Sequence, residues 1–344
     1  MIITSVRQND DNLEKIATLL YTTSKIVTIT GASISTNAGI SDFRSKNGIY
    51  ASGHRHLFHS SILFDPERWL LFYKHIADMR RVAKDANPTT THRFIRILHD
   101  SGKLVRAYTQ NIDCLEDEVG LSTDIQMSPR SRFCFQRTSL HRLRCSNCQG
   151  TFSWDKDDRE TETLSDPVPP CPRYTKISDE RKEKGKRVTV IGKLRPDIVL
   201  YDEQDSRAEE ISAIARHVQS LCPDVLLIMG TSLTTHGVKL LIRNFAKAIH
   251  KQQSGKVVFV NRTKPAKIWE GVIDYWVEGD CEAWVEDLVE RRPAFGGENN
   301  KRQIDTKVSG RLDWSQRAPR YWWPREQPRT APRRPSVTHP RNHP

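Results

Sequence analysis

Three clusters of residues have types and spacings that could do chemistry. The first is a set of thiols. Cys145-Ser146-Asn147-Cys148 is followed, after residues 149–170, by Cys171-Pro172-Arg173-Tyr174. Two CxxC knuckles make a tetrahedral zinc site. The first knuckle is complete, but in the second Tyr174 stands where the fourth thiolate belongs. A phenol ionises only near pH ~10, so tyrosine replaces a thiolate poorly. Cys145, Cys148 and Cys171 remain the candidate metal ligands, with water or another side chain completing a weaker shell.

The second cluster follows a β-branched run, Ile26 to Thr30, which stops at Gly31. Ala32, Ser33, Ser35, Ala38 and Gly39 come next, then Asp42-Phe43-Arg44-Ser45. A buried strand that turns through small residues into a helix lets backbone N–H groups approach a pyrophosphate, and the helix dipole adds to the attraction. For Gly31 alone, an ordinary strand-to-helix turn is explanation enough. The third cluster is Thr109-Gln110-Asn111-Ile112-Asp113, directly after the apolar run Leu104 to Tyr108. Polar side chains at the C-terminal end of a buried strand occupy a ligand position in an open α/β sheet. A cap on a helix starting at Cys114 would explain Asp113, but not the rest of the group.

The elements that must hold these clusters can be read around them. Residues 12–22 place Leu13, Ile16, Leu19 and Leu20 at helical spacing. Residues 66–85 read as a helix opened by Pro66, and another begins at Pro88, with Phe94, Ile95 and Leu98 on one face and His92 as a packing residue. Two more apolar strands end in small or polar residues: Asp224 to Met229 before Gly230-Thr231-Ser232-Leu233, and Val257 to Val260 before Asn261-Arg262. Strands alternating with helices imply a doubly wound parallel sheet of the α/β class. His54, His56 and His59 lack a cysteine or carboxylate at ligand spacing and read as a solvated loop.

Composition bounds the function. A chain of 344 residues suits one large domain, or a domain with a small satellite. No apolar run approaches the ~18 residues of a membrane span, and no apolar leader precedes the first strand, so a soluble protein with no membrane partner is expected. Seven cysteines, three of them at metal spacing, fit a reducing compartment. The net charge is +12, and residues 301–344 hold 11 Lys/Arg against 3 Asp/Glu, with seven prolines. Residues 291–344 therefore read as a disordered basic tail. Its arginines and the aromatics Trp314, Tyr321, Trp322 and Trp323 suit a nucleic-acid or chromatin contact. A solubilising tail accounts for the same composition equally well.

Taken together, the segments resemble the sirtuin (Sir2) family of NAD-dependent protein deacetylases. Residues 31–45 resemble the family run G-A-G-I-S-x-x-x-G-I-P-D-F-R-S, with Ser33 in place of Gly and Ser41 in place of Pro. The resemblance implies that Gly31, Ala32, Ser33, Ser35, Asp42, Phe43, Arg44 and Gln110 line an NAD site, with Asn111 and Asp113 holding the nicotinamide ribose and carboxamide. Gly230, Thr231 and Ser232, then Asn261 and Arg262, and finally Cys281 after Gly279-Asp280, resemble the motifs on the adenine side. Leu194 to Glu203 resembles the segment along which the acyl-lysine peptide adds as an extended strand. Ile198, Val199 and Tyr201 would be its contacts, and Asp202 replaces the family's usual Gly. Val260 to Pro265 is most similar to the fungal nuclear branch acting on histone H3. The resemblance covers roughly residues 10–290. It implies a Rossmann-like domain with a small zinc module inserted at about residues 139–190. NAD and structural zinc would be the cofactors, an acetylated lysine in a histone or other protein the substrate, and the nucleus the location.

The resemblance breaks at the catalytic base. In the family the acetyl oxygen attacks C1′ of the nicotinamide ribose and expels nicotinamide, and a histidine then acts as general base on a ribose hydroxyl. That histidine lies in Q-L-H-G, eight residues before the first zinc cysteine, where this chain has Arg137-Thr138. Arginine stays protonated to pH ~12 and cannot serve. Leu121 to Gln136 also lacks the expected apolar strand. His141 lies four positions too late, and His236 belongs to the adenine end, so no catalytic residue is assigned. Two readings stand: a protein-lysine deacetylase with little or no activity as written, or a catalytically dead sirtuin that binds NAD, acyl-lysine or chromatin. A general NAD-linked oxidoreductase leaves the thiol cluster and the 194–203 segment unexplained.

Overall fold

A computed structural model describes residues 3–7, 10–46, 48–51, 53–121, 134–136, 139–154, 168–204 and 208–296. Arg137, Thr138 and residues 297–344 lie outside these residues; of the expected tail 291–344, Arg291 ends a helix and Phe295 is buried in the core. In chain order the strands of the main sheet are β1 (Thr4–Val6), β2 (Ile26–Thr30), β3 (Leu104–Thr109), β4 (Cys134–Gln136), β8 (Val225–Met229), β9 (Lys256–Asn261) and β10 (Tyr275–Glu278). They lie side by side in the order β1-β10-β9-β8-β2-β3-β4, and every pairing is parallel.

Both faces of this sheet are covered, which is why its strands read as unbroken apolar runs. Successive side chains alternate across a strand. Ile26, Val225, Leu227 and Met229 pack on one face against α1 (Asp11–Thr22), α3 (Thr90–Asp100) and α8 (Cys281–Arg291) through Ile16, Leu98, Trp284 and Leu288. Val27, Ile29, Leu226 and Ile228 pack on the other against α6 (Ala208–Ser220) and α7 (His236–Ile249), through Val218, Phe245 and Ile249. Local signals set the helix starts. Asp10 caps α1 and Asp280 caps α8, each carboxylate accepting from the first turn.

A second, three-stranded sheet is antiparallel, with β5 (Ser139–Cys145) between β6 (Thr151–Ser153) and β7 (Leu194–Asp197). It carries the thiol cluster and α5 (Pro172–Glu183), the helix that follows the short α4 (Leu115–Glu118). The long helix α2 (Pro66–Asp85) supports it: the Tyr73 hydroxyl donates to the Leu194 carbonyl, and Arg80 lies 5.6 Å from the Trp154 ring.

Three expectations need correction. The turn after Gly31 leads into two short 3₁₀ turns, Ala32–Ile34 and Thr36–Ala38, rather than an α-helix. The helix expected from Pro88 starts at Thr90, because the Thr89 hydroxyl and the His92 ring close a capping box there. The stretch read as lacking a strand does form one, β4, three residues long and held by its pairing to β3 at Ala107, Tyr108 and Thr109. Strand β1 was not anticipated. Among the described residues no helix is long and apolar enough to cross a membrane.

Candidate ligand cavity and thiol centre

The sheet changes direction between β2 and β8. From β2 the chain builds outward to β3 and β4, and from β8 outward to β9 and β10. Ligands of open α/β sheets bind at such a switch point, beyond the C-terminal strand ends. A cavity of about 950 Å³ opens there. Gly31, Ala32 and Ser33 line it from the turn after β2, Gln110 and Asn111 from the end of β3, and Gly230, Thr231 and Ser232 from the turn after β8. Asp42, Phe43 and Arg44 close one side, and Ile198, Val199 and Tyr201 another.

The turns are stitched together under this cavity. Gly31 N–H donates to Met229 O (3.1 Å) and Ser33 N–H to Gly230 O (3.0 Å). A Cβ at Gly31 would sit 2.7 Å from Thr231 Cβ and 2.8 Å from Gly230 O, so only glycine fits. Gln110 Nε2 donates to Thr30 O (3.1 Å) and to Thr231 Oγ1 (2.8 Å), bridging all three strand ends. Asn111 Nδ2 donates to Ser35 Oγ (3.2 Å).

Ser35 and Asp113 do not line the cavity. They lie buried behind Asn111, where Asp113 takes hydrogen bonds from the Ser35 hydroxyl and, at 3.1 Å, from the Leu115 N–H. His92 and Glu116 complete a wholly buried trio, with ligand atoms within 4.8 Å of one another. Burial raises the Asp113 pKa. Burial, reinforced by the Asp113 charge, pushes Glu116 up to about 8. Burial and the nearby Arg93 charge push His92 down to about 3. The trio therefore keeps its histidine neutral and holds a proton on Glu116 at neutral pH. This group was not visible in the sequence, where His92 reads as a packing residue.

Asn261, Arg262 and Cys281 stand apart from the cavity wall. Asn261 Nδ2 donates to Thr263 O (3.2 Å), and Arg262 pairs with Asp280 (2.8 Å). The Cys281 thiol is buried against Val260 O (3.6 Å), and burial pushes its pKa up to about 12. The helix N-terminus that does reach the cavity is that of α7. Its cap residue Thr235 makes no side-chain capping bond, and Thr235, His236 and Gly237 line the wall. Unsatisfied N–H groups and the helix dipole make this end suited to an anion. His141, in β5, is not among the lining residues.

The thiol centre is compact. Cys148 and Cys171 Sγ are 3.9 Å apart, and the Cys145 sulfur accepts from Asn147 N–H (3.4 Å) and Cys148 N–H (3.5 Å). A Cβ at Gly192 would lie 2.7 Å from Cys145 Sγ, so glycine is needed where that loop passes the sulfur. Tyr174 is half-buried in the first turn of α5 and packs on the core of the module. Three thiols in this geometry are compatible with a structural zinc ion.

Fold and cavity together define a doubly wound, dinucleotide-type α/β protein with a three-thiol module inserted. The chain belongs to the Sir2 family, whose profile matches residues 31–237. It is 36% identical over 300 residues to the NAD-dependent histone deacetylase HST3 of Candida albicans, a match covering 80% of this chain and 61% of that protein. Against the protein of the same name from Saccharomyces cerevisiae, it is 34% identical over 312 residues, covering 83% and 69%. The crystal structure of a Sir2 homologue–NAD complex has the same fold, with a TM-score of 0.62 over 86% of this chain and 98% of that one, at 22% identity.

Proposed function

We propose that the cavity at the β2–β8 switch point binds NAD and an acetylated lysine, and that residues 10–290 form a protein-lysine deacetylase domain whose turnover is held down by Arg137. The observation that carries this reading is the polar group of Gln110, Asn111, Ser35 and Asp113, bonded into the turns after β2 and β8. The N-terminus of α7 and the Arg44 guanidinium suit a pyrophosphate. Asn111, backed by Ser35 and Asp113, would orient the nicotinamide end. Asn261, Arg262 and the backbone at Cys281 would meet the adenine end. Ile198, Val199 and Tyr201 offer an edge to an extended acyl-lysine peptide. The rings of Phe43, Phe58, Tyr50 and Tyr201 would exclude water from the acyl group. When bound, NAD supplies the ribose carbon that accepts the acetyl group as nicotinamide leaves. A zinc ion held by Cys145, Cys148 and Cys171 would tie β5 to α5.

The relatives are named histone deacetylases, so a histone lysine is the favoured substrate and the nucleus the favoured location. The basic tail would add a contact to chromatin or nucleic acid. Arg137 favours a second reading, a domain that binds both ligands without turnover. Calorimetric titration with NAD and with an acetylated histone H3 peptide tests the site itself. The expected result is binding of both, with the Asn111→Ala variant losing most of its NAD affinity. A chain that binds neither would refute the proposal.

A further inference from the structure

Two loops meet over the cavity. Residues 53–65 precede α2, residues 198–203 follow β7, and Leu57, Phe58 and Ile62 share one core with Ile198 and Leu200. They pair at a single isolated parallel bridge, His59 with Tyr201. Tyr201 N–H donates to Phe58 O (2.7 Å), and Ser60 N–H donates to Tyr201 O (2.9 Å). Next to this bridge, His59 Nε2 and Asp202 Oδ2 are 2.8 Å apart. Ser61 holds the other ring nitrogen, Nδ1, through its N–H (3.2 Å) and its hydroxyl (3.0 Å), which turns Nε2 toward the carboxylate.

Asp202 itself is in an unusual conformation. Its φ is +61°, in the left-handed region that favours glycine. The resemblance to the family implies glycine there. An aspartate held at such a φ needs a return for the backbone cost, and the bond to His59 supplies one. On the module side the loop is anchored separately: Arg195 donates to Ile198 O (2.9 Å) and to Glu203 (2.7 Å), and Glu203 accepts from Leu200 N–H (2.9 Å). Tyr201 lies between the two anchors, 6.4 Å from the Tyr50 ring.

We infer that His59 and Asp202 form a clip that holds Tyr201 against the cofactor-side loop, making both of them positioning residues for the acyl-lysine channel. Closure of the rim is then an electrostatic contact made by this chain's own departure from glycine. Because the side chains are 46% and 78% exposed, the clip is weak and salt-sensitive. A weak clip suits a rim that must open for a peptide and close again over it. The inference rests on the NAD and acyl-lysine reading of the cavity.

The test uses the full chain and the variants Asp202→Gly, Asp202→Asn, His59→Ala and the Asp202→Gly/His59→Ala double. Amide hydrogen exchange at Ser60 and Tyr201 reads the clip without any ligand. Calorimetry with an acetylated H3 peptide reads its consequence. Asp202→Gly and His59→Ala should each speed exchange and weaken peptide binding by up to roughly fivefold at low salt. The double variant should be no worse than either single one, because the two residues act as a unit. Asp202→Asn, which tolerates the left-handed backbone and still accepts a hydrogen bond, should recover most of the loss. High salt should narrow the gap between wild type and variants. Asp202→Gly relieves the backbone and should not lower the unfolding temperature, so a loss of peptide binding cannot be laid to misfolding. Unchanged exchange in Asp202→Gly, or additive losses in the double variant, would overturn the clip. A wild type with protected Ser60 and Tyr201 amides that binds no peptide would uphold the contact and overturn its role at an acyl-lysine channel.

Discussion

The floor of the cavity and its rim are built by opposite means. The floor is buried backbone and short polar side chains: Gly31 pressed on Thr231, Gln110 tied to two strand ends, and Asp113 sealed behind Asn111. The rim is aromatic edges and side-chain contacts, with the exposed His59–Asp202 contact the most open of them. Buried polar groups are costly to disturb, whereas exposed pairs contribute little. On the proposed reading, the sheet would fix the geometry of the cofactor, while access for a peptide would be left adjustable.

The largest break in this comparison should come from the thiol centre, because β7 carries the rim. Cys171→Ala, or chelation, should remove bound zinc as read by mass spectrometry, loosen the module and abolish peptide binding, while NAD affinity persists. Equal loss of both ligands would mean that floor and rim are one unit. Gly31→Ala attacks the floor alone. Its Cβ meets backbone atoms closer than 3.0 Å, so denaturant unfolding should report a loss of about 1–3 kcal/mol together with weakened NAD binding.

The buried trio sharpens the contrast through pH. Glu116 titrates near 4.5 when unfolded and about 8 when folded, so the folded state binds the extra proton between those values, and stability falls as pH rises through that window. His92 works the other way: its value drops from 6.5 to about 3, so stability falls as pH drops below 6.5. The slopes oppose each other between 4.5 and 6.5, and Glu116 acts alone above that. Glu116→Gln should therefore flatten the decline of the unfolding temperature between pH 6.5 and 8 and, by removing the opposing slope, steepen its rise between 4.5 and 6.5. The smallest effect belongs to the rim: Arg144→Ala, which breaks a half-buried 2.6 Å pair with Asp197 at the base of β7, should cost about 1 kcal/mol and loosen the loop beyond it.

Much of the floor was legible because its parts are contiguous in sequence. Ile26 to Arg44 and Thr109 to Asp113 each carry strand, turn and polar group in one run. What the sequence concealed was assembled by the fold. His92 comes from α3 and meets Asp113 and Glu116 only because β3 lies beside that helix. His59 and Asp202 are 143 positions apart and meet only because the loops before α2 and after β7 fold onto one core. Strand β4 escaped notice because three residues carry no readable period and owe their form to β3. The α7 N-terminus is hidden for another reason: Gly230 to Ser232 carry the strand-end pattern, whereas the uncapped Thr235 lies a few residues further on.

The central claim is that this site binds its ligands but lacks a base. Nicotinamide release from NAD in the presence of an acetylated histone H3 peptide, measured on the chain and on Arg137→His, tests it most directly. The expected result is little release by the chain and a clear rise in the variant, since imidazole can take a proton near neutral pH and guanidinium cannot. Robust release by the unaltered chain would contradict the claim and require another group to serve as base.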